Sequence, residues 1–466
     1  MNKSELPFLT ASELSKLMAA KEVSPVEATE AYLDRIEALD AKYRAYVTVA
    51  ADAALAAAKR AEQEIAQGNH RGPMHGVPVA AKDQINTQGI LTTGGSPVFK
   101  DNIPTSDATV IANLKAAGAV LLGKLNMTEF ATSGLSHQFD PPRNPWDLDR
   151  STGGSSSGSG AATAAFLCAT ALGEDTGGSV RFPASWCGLA GIRPTWGRVS
   201  RYGVMPGVRS MDTIGPLGRT VEDCAITLAA IAGHDPNDRL TSNEPVPDYQ
   251  AALAGGIKGL RVGIVRELVY TDLVEEEVRL SVLAAAAKMQ EMGAKVEELS
   301  IPLATNAGAI AGAIRVEAPV TYQDLVRNRP QEIAHDNRIA YMASTMMPAP
   351  YYYKGLRLRS LIKDQVLAAL NGVDLLLSPT TGVAAQLLGP DPVIDSKAAS
   401  SRIPWLLATT FSLANVPALS VPCGFTATGL PIGLQIAGRP FDESTVLRAG
   451  HSYEQETEWH SRRPDF

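Results

Sequence analysis

Helical periodicity dominates the N-terminal part of the chain. Residues 24–27 form a capping box with proline at the first helical position, and apolar residues then recur every three or four positions from Ala28 to Leu39. An alanine-rich segment over about 50–67 predicts a further helix. We therefore expect an N-terminal helical segment at about 10–67.

Short apolar runs with the length of buried strands begin at residue 76 and alternate with predicted helices. The predicted strands lie at 77–81, 119–122, 260–265, 295–299, 373–377, 418–421 and 432–436, and another ends at residue 173. The predicted helices lie at 108–117, 220–232 and 274–292, and another begins at about 159. This alternation is typical of an α/β protein with helices on both faces of a sheet.

The domain organisation follows from the lack of boundaries between these elements. The sequence has no linker, internal repeat or low-complexity tail, so residues 1–466 are predicted to form a single domain. Residues of about 303–372 are predicted to be mainly helical and to form a lobe on its surface.

Composition and charge narrow the class of protein. The chain is 45% hydrophobic and 20% charged, which is ordinary for a globular protein. Its net charge of -7 and its lack of a dense Lys/Arg run argue against a nucleic-acid partner. The N-terminus has no apolar signal core, and the longest nearly uncharged apolar stretch, residues 161–172, is shorter than the roughly 20 residues that span a bilayer. We expect a cytoplasmic protein that contacts no membrane.

The cysteines and histidines indicate no metal site. Four cysteines in a chain of 466 residues are too few for a disulfide scaffold, and none are paired in the spacing of metal ligands. We therefore predict reduced thiols, no bound metal and no cofactor.

Two loops rich in glycine and serine, residues 152–160 and 175–181, are the main candidates for chemistry. The first could be a flexible linker, although structured sequence flanks it on both sides. A phosphate-binding loop would need a Gly-Lys-Ser/Thr ending that is missing here. Residues 154–158 also match the G-x-S-x-G elbow of serine hydrolases, but no strand immediately precedes them, and only His451 and His460 follow late enough to complete a triad.

A fourth interpretation joins both loops to Lys82. A serine hydroxyl is a poor nucleophile until a base removes its proton, and burial among apolar groups lowers the pKa of a lysine so that it can be that base. Lys82 follows the apolar residues 79–81, although it could equally be a strand-end lysine that pairs with an acid such as Asp83. Gly177 and Gly178 could turn their N–H groups toward a substrate carbonyl as an oxyanion hole, or could simply form a turn.

Taken together, these motifs resemble those of the amidase signature family. They are Gly-Gly-Ser-Ser-x-Gly at 153–158, Asp-x-Gly-Gly-Ser-x-Arg at 175–181 and Val-Pro-x-x-x-Lys-Asp at 77–83. Matches at 144–146, 187–195 and 419–424 extend the resemblance over nearly the whole chain. It implies a large mixed β-sheet sandwiched between helical layers.

The resemblance also implies a reaction, the hydrolysis of a carboxylic amide to an acid and ammonia or an amine through an acyl-enzyme. The roles fall on Ser179 as nucleophile, Ser155 as the middle serine that passes the proton, and Lys82 as the base. The oxyanion hole would be formed by the backbone N–H groups of Thr176, Gly177, Gly178 and Ser179, and the supports of the loop would be Asp175 and Arg181.

Two kinds of member fit this pattern, a stand-alone amidase and the glutaminase subunit of a tRNA-dependent amidotransferase. In the latter, an arginine and an aspartate hold the charged groups of glutamine, and these positions fall here on Arg359 and Trp405. An indole cannot pair with an ammonium group as a carboxylate does, so the main expectation is a stand-alone amidase acting on a small, less polar amide. Thr132 and Ser133 complete the predicted substrate pocket, and the sequence leaves a homodimer and the identity of the amide open.

Overall fold

The computed structural model describes residues 2–131, 137–388 and 406–465. Its strands are β1 Tyr46–Val49, β2 Pro78–Lys82, β3 Val120–Leu125, β4 Arg143–Asn144, β5 Asp147–Ser151, β6 Thr170–Glu174, β7 Ala190–Arg193, β8 Ile214–Gly218, β9 Arg261–Val265, β10 Lys295–Leu299, β11 Leu375–Pro379, β12 Ala418–Phe425 and β13 Pro431–Ala437.

Helices occupy much of the rest of the described chain. They are α1 Ala11–Ala19, α2 Pro25–Tyr43, α3 Ala51–Ala66, α4 Thr109–Ala116, α5 Ser157–Ala164, α6 Arg181–Cys187, α7 Val221–Ile231, α8 Tyr249–Ala252, α9 Arg266–Val269, α10 Glu276–Glu291, α11 Ala307–Ile314, α12 Ala318–Thr321, α13 Gln323–Asn328, α14 His335–Thr345, α15 Ala349–Gly372, α16 Leu406–Ala414 and α17 Glu443–Gln455. Short 3₁₀ turns, among them Arg315–Glu317, connect several of them.

Eleven of the strands form one mixed sheet in the order β1-β3-β2-β6-β8-β7-β12-β13-β11-β9-β10. Strands β3, β2 and β6 run parallel to one another, as do β11, β9 and β10, and the strands between these two groups pair antiparallel. The predicted α/β class and large mixed sheet are therefore confirmed. Strands β4 and β5 form a separate two-stranded pair.

Two apolar clusters stabilise this architecture. The larger one lines the sheet and the helices packed on it, and includes Val79, Leu172 and Leu377. A smaller one holds the helical region that follows β10, and it contains Ile314 and Tyr322. The ring of Tyr322 stacks on Phe130 at a centroid distance of 4.4 Å, which ties this region to the loop after β3.

Most of the elements predicted from periodicity occur within a few residues of the expected positions. Ser24 caps α2 as predicted, with its side chain accepting hydrogen bonds from the N–H groups of Val26 and Glu27. The sequence signals missed the short strands β1, β4, β5, β7 and β8, and β5 ends at Ser151, just before the first Gly/Ser loop, where no strand was expected. The central strand β8 contains Pro216, which normally argues against a strand. Pro216 is registered opposite Leu172 of β6, while the pairing with β7 covers only Leu217 and Gly218.

The predicted domain organisation is compatible with these elements but stays a prediction. Helices α1 to α3 occupy the expected N-terminal segment, and α11 to α15 occupy the region predicted as a lobe. Across the described ranges, no helix is both long and apolar enough to cross a membrane. All four cysteines are buried and free.

Truncation of a side chain in the middle of the sheet should reveal how much the core contributes to stability. Leu377 on β11 is fully buried, so Leu377→Ala is expected to reduce the free energy of unfolding by about 2–5 kcal/mol, through lost burial and the cavity left behind. Leu361 on α15 is 52% exposed, so Leu361→Ala is the control and should change stability by less than about 0.5 kcal/mol. Denaturant unfolding of both variants measures the difference, and equal losses would contradict it.

Candidate active site

Lys82 lies at the carboxyl end of β2, beside the end of the parallel strand β6. Its side chain is fully buried, and its Nζ lies 2.7 Å from Ser155 Oγ. The alternative pairing with Asp83 is wrong, because successive residues of an extended chain point to opposite sides. Asp83 instead faces Lys124, with a distance of 3.8 Å between Nζ and Oδ1.

The first Gly/Ser loop is an ordered part of the interior. Residues 152–160 are buried throughout, and α5 begins within them at Ser157, so the linker interpretation is wrong. The peptide bond between Gly154 and Ser155 is cis, as the family resemblance implies. Gly158 is required by space, because a Cβ there would lie 2.4 Å from the carbonyl oxygen of Ala45.

Ser156, the central residue of the elbow motif, is engaged by the backbone of Glu174. Its Oγ donates to the carbonyl oxygen and accepts from the N–H of that residue, each at 3.2 Å. A hydroxyl committed in both directions is a poor nucleophile, so the elbow interpretation loses its key residue. Sequence reasoning missed a histidine near this loop, since His137 Nε2 lies 2.9 Å from Ser157 Oγ.

The second loop brings Ser179 next to the first. The N–H of Ser156 donates to the carbonyl oxygen of Ser179 at 3.3 Å, which holds the two loops together. Ser179 is 9% exposed, whereas Lys82 and Ser155 are fully buried. The serine predicted as nucleophile is thus the most exposed member of the trio.

The peptide groups around Ser179 are fixed in direction. The unit between Gly177 and Gly178 is held at both ends, because its carbonyl accepts from Thr409 Oγ1 at 3.0 Å and its N–H donates to Asp175 Oδ1 at 2.7 Å. The N–H of Gly178 is therefore occupied, contrary to its predicted place in the oxyanion hole. Among the described residues, the N–H groups of Thr176, Gly177 and Ser179 have no acceptor. These three are left as candidate donors to a substrate oxygen.

Asp175 and Arg181, the predicted supports of this loop, form a buried ion pair. Arg181 Nη2 lies 2.9 Å from Asp175 Oδ1, and Arg193 Nη1 lies 3.3 Å from the same oxygen, with all three side chains fully buried. Burial alone would raise the pKa of the Asp175 carboxyl, but the two guanidinium groups outweigh it and hold the pKa well below its usual range. Asp175 is therefore a permanent carboxylate.

Lys82 faces a second carboxyl group that sequence reasoning missed. Its Nζ lies 3.5 Å from Glu174 Oε2, and both side chains are fully buried. Burial lowers the pKa of Lys82, although the charge of Glu174 opposes this. Burial and the nearby charge of Asp212 raise the pKa of Glu174 to about 8. The environment of the pair therefore favours the uncharged lysine that a general base requires.

Only part of the predicted substrate pocket lies within the described residues. Thr132, Ser133 and Trp405 lie outside the described residues. Arg359 is held in the protein by hydrogen bonds to Leu413 O, to Asn415 Oδ1 and to both oxygens of Ser210, at 2.8–3.1 Å. These contacts give Arg359 a structural role in the described arrangement.

A different arginine lies beside the nucleophile loop. Arg315 Nη2 is 3.8 Å from the position that a Cβ on Gly177 would take, and burial lowers the pKa of its guanidinium. No local sequence signal marks Arg315, because only tertiary packing carries it to this loop. Within the described ranges, no three His, Cys, Asp or Glu side chains come together as candidate metal ligands.

The arrangement of Lys82, the cis-peptide Ser155 and the accessible Ser179 agrees with the motifs that suggested it. The sequence profile of the Amidase family matches residues 27–447 of the chain. The chain belongs to the amidase family. This membership confirms the resemblance and shows an enzyme of the class that hydrolyses C–N bonds.

Comparisons with individual proteins show which members of the family this chain resembles. It is 44% identical to one of the subunits of the glutamyl-tRNA(Gln) amidotransferase of Moorella thermoacetica, over 99% of both chains. The solved structure of the corresponding Thermotoga maritima protein shares 33% identity and a TM-score of 0.82, over 97% of this chain and 95% of that one. A chain solved in a vestigial protein complex, which reveals the evolutionary origins of an s-triazine catabolic enzyme, shares 33% identity and a TM-score of 0.90, over 96% of this chain and 98% of that one.

Removal of the charge on Asp175 should destabilise the amidase strongly. Asp175→Asn leaves two buried guanidinium groups without their carboxylate, so the free energy of unfolding is expected to fall by about 3–5 kcal/mol. Asp147→Asn is the matched control, because Asp147 pairs with Arg150 at 2.9 Å in a partly exposed position, where a loss of at most about 1 kcal/mol is expected. Similar denaturation midpoints for the two variants would argue against Asp175 as the support of the loop.

A covalent probe can identify the nucleophile without knowledge of the substrate. A fluorophosphonate should label Ser179 in the wild-type amidase, and Ser179→Ala should abolish labelling while the protein stays folded. Ser156→Ala and Ser157→Ala serve as controls and should still be labelled at Ser179, because their hydroxyl groups contact Glu174 and His137 instead. Peptide mapping by mass spectrometry locates the adduct, and an adduct on Ser156 or Ser157 would reject the assignment.

Proposed function

We propose that this amidase releases ammonia from the side-chain amide of glutamine and serves as the glutaminase subunit of a tRNA-dependent amidotransferase. The observation that carries the proposal is the 44% identity, over 99% of both chains, to a protein named as part of a glutamyl-tRNA(Gln) amidotransferase. This similarity favours the glutaminase subunit over the stand-alone amidase, which was the main expectation from the sequence.

The proposed reaction uses the three catalytic positions in turn. Ser179 Oγ attacks the amide carbon, and its proton passes through Ser155 to the neutral Nζ of Lys82. The negative oxygen that develops would be met by the N–H groups of Thr176, Gly177 and Ser179. Lys82 then returns the proton through Ser155 to the leaving nitrogen, so that ammonia departs from the acyl-enzyme. Attack by water on the acyl carbon releases the acid and restores Ser179.

The charge near the loop supports a substrate that carries a carboxylate. Arg315 Nη2 lies 3.8 Å from the Cβ position of Gly177, so the α-carboxylate of glutamine would meet a positive charge there. Arg359, which the sequence suggested for this role, is engaged with Ser210, Leu413 and Asn415. We assign the carboxylate contact to Arg315 because its guanidinium lies beside the loop that carries Ser179.

A stand-alone amidase is the second candidate. It is supported by Trp405, which stands at the position where the family's glutaminase subunits have an aspartate. Such an enzyme would act on a small amide without partner subunits.

Ammonia release from a panel of amides distinguishes the two candidates. The panel contains glutamine, its N-acetyl N-methylamide without a free carboxylate or amine, and small neutral amides, each tested with the chain alone and with the partner subunits of the amidotransferase. We expect glutamine to be preferred by at least about tenfold in kcat/KM when the partners are present, since the Arg315 contact is lost with the neutral analogues. The control is Ser179→Ala in the same assembly. Turnover of neutral amides by the chain alone, without turnover of glutamine, would reject the glutaminase in favour of the stand-alone amidase.

A further inference from the structure

Two buried carboxyl groups share one hydroxyl group next to Lys82. Thr176 Oγ1 lies 2.9 Å from Glu174 Oε1 and 2.6 Å from Asp212 Oδ1. A hydroxyl carries a single proton, so it cannot donate to both oxygens, and two carboxylates facing it would leave one oxygen without a donor. One of the two carboxyl groups must therefore be protonated and donate a hydrogen bond to Thr176 Oγ1.

The hydrogen bonds of Asp212 show that the extra proton is not there. Asp212 Oδ2 accepts from the N–H of Gly207 at 2.9 Å, and Oδ1 accepts from the N–H of Val208 at 2.8 Å. With Thr176 as a third donor, both of its oxygens act as acceptors, which is the arrangement of a carboxylate. Within the described residues, the Glu174 carboxyl makes hydrogen bonds only with Thr176 and Lys82, so its Oε1 is the place for the proton.

The other charges around Glu174 agree with this assignment. Negative charge on Asp175 and Asp212 opposes its ionisation, and burial acts in the same direction. The positive groups that act on it are Lys82, Arg193 of β7 and Arg315, and the hydroxyl of Tyr322, whose pKa Glu174 helps to raise, donates to the carbonyl oxygen of Pro206 at 3.1 Å. Arg193 is already paired with Asp175, and its Nη2 donates to the carbonyl of Met211.

We propose that Glu174 is a positioning residue that stands beside Lys82 as a neutral carboxylic acid, its proton held on Oε1 by the Thr176–Asp212 pair. Its role is to leave Lys82 uncharged and able to accept the proton of Ser155. The inference rests on the proton relay in the proposed function. Glu174 keeps its proton throughout: the relay moves one proton from Ser179 through Ser155 to Lys82 and then to the leaving nitrogen.

The charge state of Glu174 matters because of its distance from Lys82. An ionised carboxylate at 3.5 Å would raise the pKa of the lysine by roughly three units, taking an effective dielectric of about 20. Lys82 would then be an ammonium ion at neutral pH and could not act as the base. A neutral acid at the same distance fills the space without this effect.

The test follows the pH dependence of fluorophosphonate labelling of Ser179, which needs no knowledge of the amide. The labelling rate should rise with pH as Lys82 loses its proton. Glu174→Gln replaces one neutral group with another, so the midpoint of the rise should stay within about 0.5 pH units of the wild type. If Glu174 is ionised, the same substitution removes a negative charge and moves the midpoint down by roughly two units or more, which overturns the proposal.

A second variant moves the midpoint in the opposite direction. Asp212→Asn removes the negative charge that opposes ionisation of Glu174, so Glu174 ionises and Lys82 holds its proton to higher pH. We expect the midpoint to rise by at least about one unit, and the double variant with Glu174→Gln should cancel the rise and place the midpoint at or below the wild-type value, because the charge of Asp212 also raises the pKa of Lys82. A merely structural role would lower stability without this reversal, so an unreversed shift rejects the proposal.

Infrared difference spectra provide a readout that does not depend on activity or on the Asp212 variant. At neutral pH, the wild type should show the carbonyl stretch of a buried protonated carboxyl group that Glu174→Gln lacks, and a carboxylate band in its place overturns the proposal. Lys82→Arg tests the relay separately from the protonation of Glu174, because a guanidinium cannot accept the proton. Normal labelling of Lys82→Arg would reject the relay of the proposed function, while the infrared band would still report on Glu174.

Discussion

The buried ion pair between Asp175 and Arg181 is the constraint on which the active site depends. Asp175 directs the N–H of Gly178 and of Val180 inward, at 2.7 and 3.2 Å, and so sets the course of the loop that carries Ser179. Arg181 continues from this carboxylate to Ser412 Oγ, at 2.7 Å, on a helix far along the chain. A buried pair of this kind is tolerated only when every donor and acceptor is satisfied, which makes the loop and its surroundings a single rigid unit.

The pKa values of the neighbouring carboxyl groups of Glu174 and Asp175 shift in opposite directions, and the cause is local. Asp175 faces two guanidinium groups and stays charged, whereas the adjacent Glu174 faces Lys82 and the negative Asp212, and its pKa rises to about 8. Both side chains are equally buried, so burial does not separate them. Their partners decide which group is a fixed charge that shapes the loop and which can be neutral next to the base.

Membership of the family is shown by a match over most of the chain, whereas the substrate of this amidase is a proposal. The family's sequence model spans residues 27–447, which include Ser155, Ser179 and Arg181. In the proposed function the substrate would meet further residues, such as Arg315, that lie outside the glycine-serine motifs. Relatives of similar fold can therefore act on different amides.

The sequence by itself determined the α/β class and the alternation of most strands and helices, and it supplied the candidate residues of the proposed relay. Local signals were enough for these, since periodicity, caps and the glycine-serine motifs of Ser155 and Ser179 are read within short segments. It missed β7 and β8, because short strands without alternation carry no such signal, and Pro216 argued against one of them. Only the tertiary structure decided that Lys82 faces Glu174, that Asp212 reaches Thr176 and that Arg315 lies at Gly177. These are contacts between segments distant in the chain, and the charge of each group depends on partners that are neighbours only after folding.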